Sequence, residues 1–212
     1  TVVSETLYTT GDDINSKLTS VLTDVETNLL SWTNEKSQIY KVNADSGKDT
    51  EISEELSGYL ERLLKIAKDS DGAFDPTIGK LIRLWDIGGE NQRIPGEDEI
   101  QEVLKDSGYQ KISLDGNTIH MDEGCSLDLG AAGKGIGCDL ILENLKNQKD
   151  VTAALMNLGG SSVMTYGSKP DGSSWNVAVT DPRAENDDDY LGVVALNGTE
   201  FLSTSGDYEK YF

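Results

Sequence analysis

Apolar and polar positions alternate through residues 1–9, where Val3, Thr6, Leu7 and Tyr8 predict an opening strand that Thr10-Gly11-Asp12-Asp13 stops. Beyond that turn Ile14, Leu18, Val21, Leu22, Val25 and Leu29 recur at helical spacing behind acidic N-cap candidates, the stripe of an amphipathic helix. Residues 31–48 are polar and irregular. Ser53-Glu54-Glu55 then opens a second helix whose face carries Leu56, Tyr59, Leu60, Leu63, Leu64 and Ala67. A short helix is predicted over 78–85, and a further one over 97–107 with Gly108 as its C-terminal stop.

From Lys111 the period changes to two. Ile112 and Leu114, a turn at Asp115-Gly116-Asn117, then Ile119 and Met121 read as a hairpin leading into a third strand over 125–129. Residues 130–146 are helical by the spacing of Ile136, Leu140, Ile141 and Leu145, in spite of several glycines. Strands are predicted over 151–157, 162–166, 175–180 and 191–197, separated by Gly, Pro and Asp turns. Helices mix with hairpin-connected strands without a regular βαβ repeat, so the fold class is α+β. There is no internal repeat and no linker rich enough to cut the chain, so residues 1–212 are expected to form a single domain.

Charge narrows the partners. Against 18 Lys+Arg stand 38 Asp+Glu, a net charge of −20, which repels both a nucleic-acid backbone and anionic membranes. With 36% hydrophobic and 26% charged residues among 212, the chain has material for a core and is not a disordered acidic tail. No apolar run is long enough to cross a bilayer, and Thr1-Val2-Val3-Ser4 has neither an initiator Met nor a signal-peptide pattern, so a trimmed or mature fragment is expected. Cys125 and Cys138 read as two buried thiols, and the lone His120 as an ordinary strand residue.

Three segments carry glycine and polar residues that packing alone does not require. In Gly72-Ala73-Phe74-Asp75-Pro76-Thr77-Ile78-Gly79 an Asp stands before Pro at a helix start, which suits an N-cap or a loop that meets a ligand. In Asp128-Leu129-Gly130-Ala131-Ala132-Gly133-Lys134-Gly135-Ile136-Gly137 a strand end passes through small residues into a helix. Backbone amides there can approach an anion closely, which suits phosphate or pyrophosphate, while tight strand-to-helix packing explains the glycines equally well; the spacing matches neither a Walker A loop nor the dinucleotide fingerprint. Ser203-Thr204-Ser205-Gly206-Asp207-Tyr208 sets hydroxyls and a carboxylate beside a glycine turn, suited to metal or phosphate contacts or to a plain polar turn.

Taken in order with Ser31-Trp32-Thr33-Asn34-Glu35-Lys36-Ser37-Gln38-Ile39, Asn43, Leu84-Trp85, the Asn157-Leu158-Gly159-Gly160 turn and 175–182, these motifs resemble the ApbE-type FAD:protein FMN transferases over nearly the whole chain. The resemblance implies two intertwined T-fold-like α+β lobes with mainly antiparallel sheets and FAD between them. It implies a magnesium-dependent enzyme that transfers FMN from FAD to a Thr or Ser hydroxyl of a target flavoprotein through a phosphoester bond, releasing AMP. An FAD pyrophosphatase, or a flavin-binding protein without catalysis, are the alternatives.

By the same resemblance Ser31, Trp32 and Thr33 cover the flavin or adenine side, and Ala73, Phe74 and Asp75 line the FAD site. Asp128 and Lys134 contact the dinucleotide, and Ala131 offers its backbone oxygen to Mg2+. Ser205 and Asp207 sit near the reacting phosphate, with Asp207 the candidate base. Many family members carry Tyr where Thr33 stands, with Trp32 the neighbouring aromatic here. The resemblance also implies a C-terminal truncation at Phe212, ahead of further metal ligands. An acceptor flavoprotein of a redox complex, a bacterial envelope location on the outer side of the cytoplasmic membrane, and peripheral attachment through a removed lipid anchor are implied in the same way.

Overall fold

The computed structural model describes residues 2–183, 186 and 189–206. Its elements follow the apolar periodicity closely at first: β1 (Val3–Thr9) and α1 (Ile14–Asp24). The predicted stripe then continues through Val25–Leu30 as a π-helical turn, closed by Ser31 N–H donating to the Glu26 carbonyl at 3.2 Å. There follow α2 (Gln38–Ala44), β2 (Asp49–Glu51), α3 (Glu54–Asp69), α4 (Gly79–Trp85) and α5 (Glu97–Leu104). After a short 3₁₀ turn come β3 (Ile112–Asp115), β4 (Thr118–Met121) and α6 (Gly130–Lys146). The chain continues with β5 (Val151–Leu158), β6 (Ser162–Tyr166), β7 (Trp175–Thr180), β8 (Tyr190–Leu196) and β9 (Phe201–Ser203). No helix among the described residues is long and apolar enough to cross a membrane.

The described residues form two compact units, 2–22 with 134–206 and 23–133, so the division falls inside α1 and again inside α6. In the first unit the antiparallel sheet runs β1-β5-β6-β9. Strand β5 alternates because Ala154, Met156 and Leu158 point at α1 and α6, where Leu18, Ile141 and Leu145 are fully buried. A separate ribbon, β7–β8, packs Trp175 and Leu196 with Ala153 and Val163, and Tyr8 meets Trp175 edge to face at 5.8 Å.

The second unit holds the three-stranded sheet β2-β4-β3 and helices α2 to α5. Helix α3 starts where the sequence indicates: the Ser53 hydroxyl accepts from Leu56 N–H at 3.2 Å, and Leu56, Leu60 and Leu63 form its buried face. The β3–β4 hairpin turns on Gly116, whose φ of 56° suits the first central position of a two-residue loop. All ladders between the named strands are antiparallel, consistent with an α+β fold.

Three short elements have no counterpart in the periodicity: α2, β2 and β9. The predicted strand over 125–129 is absent, and in its place stands a single parallel bridge between Ile78 and Ser126. Cys125 and Cys138 are buried and free, as expected. Burial pushes both thiols up, Cys138 to about 11, which leaves them poor nucleophiles. His120 lies on β4 with its Nδ1 2.8 Å from Asp49 Oδ1 across the ladder.

Candidate functional site

The loop that leaves α3 is built before any ligand is considered. Asp71 and Gly72 take left-handed φ values of 53° and 80°, and Gly72 N–H returns to the Ala67 carbonyl at 2.8 Å. Ser70 then holds Phe74, its hydroxyl accepting from the Phe74 amide at 3.1 Å. Helix α4 begins at Gly79 with Ile78 in the cap position, so Asp75 is not its N-cap. Asp75 instead accepts from the Thr77 amide at 2.8 Å and the Thr77 hydroxyl at 2.6 Å through one oxygen, and from the Tyr109 amide at 2.9 Å through the other. Thr77, fully buried, accepts in turn from Gly108 N–H at 2.6 Å. Asp75 therefore ties two loops together, with Ala73 exposed and Phe74 half-buried beside it.

The stretch before α6 is fixed by a side chain rather than by a sheet. Asn43 on α2 donates from Nδ2 to the Leu127 carbonyl at 2.9 Å and accepts from the Leu127 amide at 2.7 Å through Oδ1. Asp128 N–H reaches the Pro76 carbonyl at 2.9 Å, and Gly79 N–H reaches the Ser126 carbonyl at 3.0 Å. A Cβ at position 79 would lie 2.8 Å from the Ser126 oxygen and 2.9 Å from the Leu127 oxygen, so this approach requires glycine. The Asp128 carboxylate accepts from the Gly130 amide at 2.7 Å at the start of α6.

Trp32 follows Ser31, whose buried hydroxyl accepts from the amides of Thr33 at 3.3 Å and Asn34 at 3.2 Å. The indole is 43% exposed. Behind it stands Arg83 of α4, its guanidinium carbon 5.2 Å from the ring centroid and its Nη2 donating to Ser126 Oγ at 2.7 Å. Burial pushes the pKa of this guanidinium down, and the neighbouring Asp128 charge opposes that shift. Ser31, Trp32, Thr33, Ala73, Phe74, Asp75 and Asp128 thus all belong to one unit, joined through Arg83, Asn43 and Gly79.

Within 134–206, Lys134 of α6 donates to the Ser161 hydroxyl. Ser161 follows the turn 157–160, where Gly159 and Gly160 take φ values of 66° and 74° and Gly160 N–H donates to Asn157 Oδ1 at 2.8 Å. The Ser161 carbonyl accepts from Thr204 N–H at 2.8 Å, which brings the chain just before Ser205 to the same strand end. Ser205 is exposed, and Asp207 lies outside the described residues. Ala131 is exposed in the first turn of α6. Among the described residues no group of three or more His, Cys, Asp or Glu side chains is placed to hold a metal ion.

A comparison with protein-family models matches residues 1–212 to the ApbE family. The chain belongs to the ApbE family. Curated relatives include a Treponema pallidum protein named FAD:protein FMN transferase, 30% identical over 200 residues that cover 87% of this chain and 54% of the relative. A Klebsiella pneumoniae protein of the same name is 30% identical, over 97% of this chain and 63% of its own length. The chain thus spans between about half and two thirds of the length of these relatives. Among solved structures, the ApbE protein of Thermotoga maritima superposes with a TM-score of 0.86 at 30% identity, covering 99% of this chain and 67% of that one. The flavinyl transferase ApbE of Pseudomonas stutzeri, in its apo form, gives 0.82 at 28% identity, over 99% and 66% of the two chains.

In this ApbE chain the motif residues separate into kinds. Asn43 spends its polar atoms on the backbone of Leu127 and Asp75 on two amides and the Thr77 hydroxyl, whereas Lys134 bonds the single Ser161 hydroxyl. Arg83 was not singled out by the sequence, because a lone cation on a short helix carries no motif of its own. The signal that identifies it is spatial, an arginine of α4 set against the exposed Trp32 indole in the unit that also holds Asp128.

Proposed function

We propose that this chain carries out the flavin-handling chemistry of an FAD:protein FMN transferase, moving FMN from FAD to a Thr or Ser hydroxyl of a flavoprotein and releasing AMP. The observation that supports it best is the glycine-rich opening of α6. There Lys134, in a chain of net charge −20, is bonded to a hydroxyl, leaving its remaining ammonium protons for an anion. Backbone amides at the helix start add positive potential to the same stretch. Sequence identity to the T. pallidum protein named for this activity supports the same substrate.

The transfer balances without an enzyme nucleophile. The acceptor hydroxyl oxygen bonds to the phosphorus of the FMN half while the bond from that phosphorus to the bridging oxygen breaks. AMP departs with the bridging oxygen, and the hydroxyl proton passes to a base, for which Asp207 is the proposed group. Binding and orientation fall to this chain's residues: Trp32 and the 73–75 loop against the ring systems, Asp128 at the head of α6, Lys134 beside the pyrophosphate, and Ser205 near the reacting phosphate. Magnesium, proposed from the family resemblance, would supply charge neutralisation when bound. The described donors do not complete its ligand set, so no step here depends on it. An acceptor in a redox complex, and a place on the outer side of a bacterial cytoplasmic membrane through a lipid anchor, belong to the same proposal.

Incubation with FAD, magnesium and a purified acceptor flavoprotein tests the reading. A flavin-fluorescent acceptor band together with AMP is expected. Free FMN and AMP with an unlabelled acceptor would point to hydrolysis, and unchanged FAD to binding without catalysis.

A further inference from the structure

We infer that Arg83 is a positioning residue for the dinucleotide site, locking the Trp32 indole to α4 and to the 126–128 stretch so that the open indole face is preset to stack on a planar ring of FAD. The inference rests on the proposed function and adds a residue to it. Trp32 lies on a loop, and its neighbour Ser31 fixes the backbone of that loop through bonds to Thr33 and Asn34. Those bonds leave the indole torsions free, and an unrestrained aromatic would lose its rotamer freedom when the ligand binds. Arg83 removes that freedom beforehand: its guanidinium sits 5.2 Å from the ring centroid, while 43% of the residue stays open.

The other end of the lock is equally fixed. Arg83 Nη2 donates to Ser126 Oγ at 2.7 Å, and Ser126 is buried on the stretch held by Asn43 and Gly79. Asp128, two residues on, supplies the opposite charge that offsets part of the cost of burying the guanidinium. A lysine could place charge over the ring but lacks the planar fork that reaches indole and hydroxyl together. The same contacts orient Trp32 and Asp128 relative to each other, so an error at either end would reach both.

FAD titrations of the wild type, R83M, R83K, W32A and the R83M/W32A double variant test this, with thermal unfolding and ligand-free tryptophan emission recorded for each. R83M is expected to weaken FAD binding about tenfold and to shift the Trp32 contribution to the emission, with R83K recovering part of both. The double variant should bind within about twofold of W32A alone, because Arg83 acts through the indole. R83M binding FAD as the wild type does, or losses that simply add in the double variant, would overturn the inference. Should R83M fail to fold, the R83K and R83K/W32A pair decides by the same criterion. A wild type that binds no FAD overturns the proposed function and this inference with it, whereas normal wild-type binding beside unaffected Arg83 variants overturns the inference alone.

Discussion

The two units treat their candidate residues in opposite ways. In 23–133 polar groups are engaged by the protein itself: Asp75 holds three donors, Asn43 both polar atoms of Leu127, and one oxygen of Asp128 the Gly130 amide. In 134–206 Lys134 shares only a hydroxyl, and Ser205 stands exposed. The first arrangement makes a rigid mould whose residues cannot be changed without loosening the fold. The second leaves Ser205 open at the surface and, on the proposed function, turns Lys134 toward an anion. Substitutions should therefore lower stability and FAD binding together in 23–133, and binding alone in 134–206.

The strongest way to break that contrast is Asp75→Ala. It strips acceptors from the buried Thr77 amide and hydroxyl and from the Tyr109 amide, and should cost about 3 kcal/mol in urea unfolding along with most of the FAD affinity. Asn43→Ala comes next, at about 2 kcal/mol for the two groups of Leu127 left unpaired. An equally stable Asn43→Ala protein with unchanged FAD binding would show that 126–128 needs no clamp. Lys134→Ala should stay within about 0.5 kcal/mol of wild-type stability while losing about tenfold in FAD affinity, read by fluorescence titration. Wild-type affinity in this variant would remove the contrast from its functional side.

The smallest effect provides a control at an ion pair that touches none of these groups. Glu99 is held down to about 2, first by its hydrogen bonds from Arg93 and then by the Gly96 amide. A folded-state pKa below the unfolded one contributes stability that is present above the unfolded value and is lost as pH falls through the folded value. Acid titration of unfolding should therefore show a slight loss between about pH 4.5 and 2 that Glu99→Gln flattens, with FAD binding at neutral pH untouched.

The helices were legible wherever their apolar stripe ran beyond two turns, as in α3, whose Leu56, Leu60 and Leu63 are buried behind a Ser53 cap. Helix α2 was not, because within Gln38–Ala44 only Ile39 and Val42 are buried, too few to define a period. Strands β2 and β9 are three residues each, shorter than any alternation can register. The segment 125–129 misleads for a different reason. Cys125, Leu127 and Leu129 do alternate inward, but periodicity reports burial and not the identity of the hydrogen-bond partner, which here is mainly a side chain and two loops. The site's motif residues were legible as a set, while Arg83 depended on three-dimensional neighbours that no spacing encodes.

The bidentate grip of Asn43 on Leu127 acts as an index mark on the chain. A sheet fixes phase collectively, over many rungs, so a slip is resisted everywhere at once. Here the phase is set over three residues, 126–128, with the grip on Leu127 at their centre, and the acid at the head of α6 is the residue after Leu127, a single Cα step of about 3.8 Å away. Inserting one residue between Leu127 and Asp128 would carry the acid to another azimuth while the grip itself survived. Such a joint lets a site be re-aimed without rebuilding its scaffold, and it makes the length between position 127 and α6 a more sensitive variable than the side chains along it.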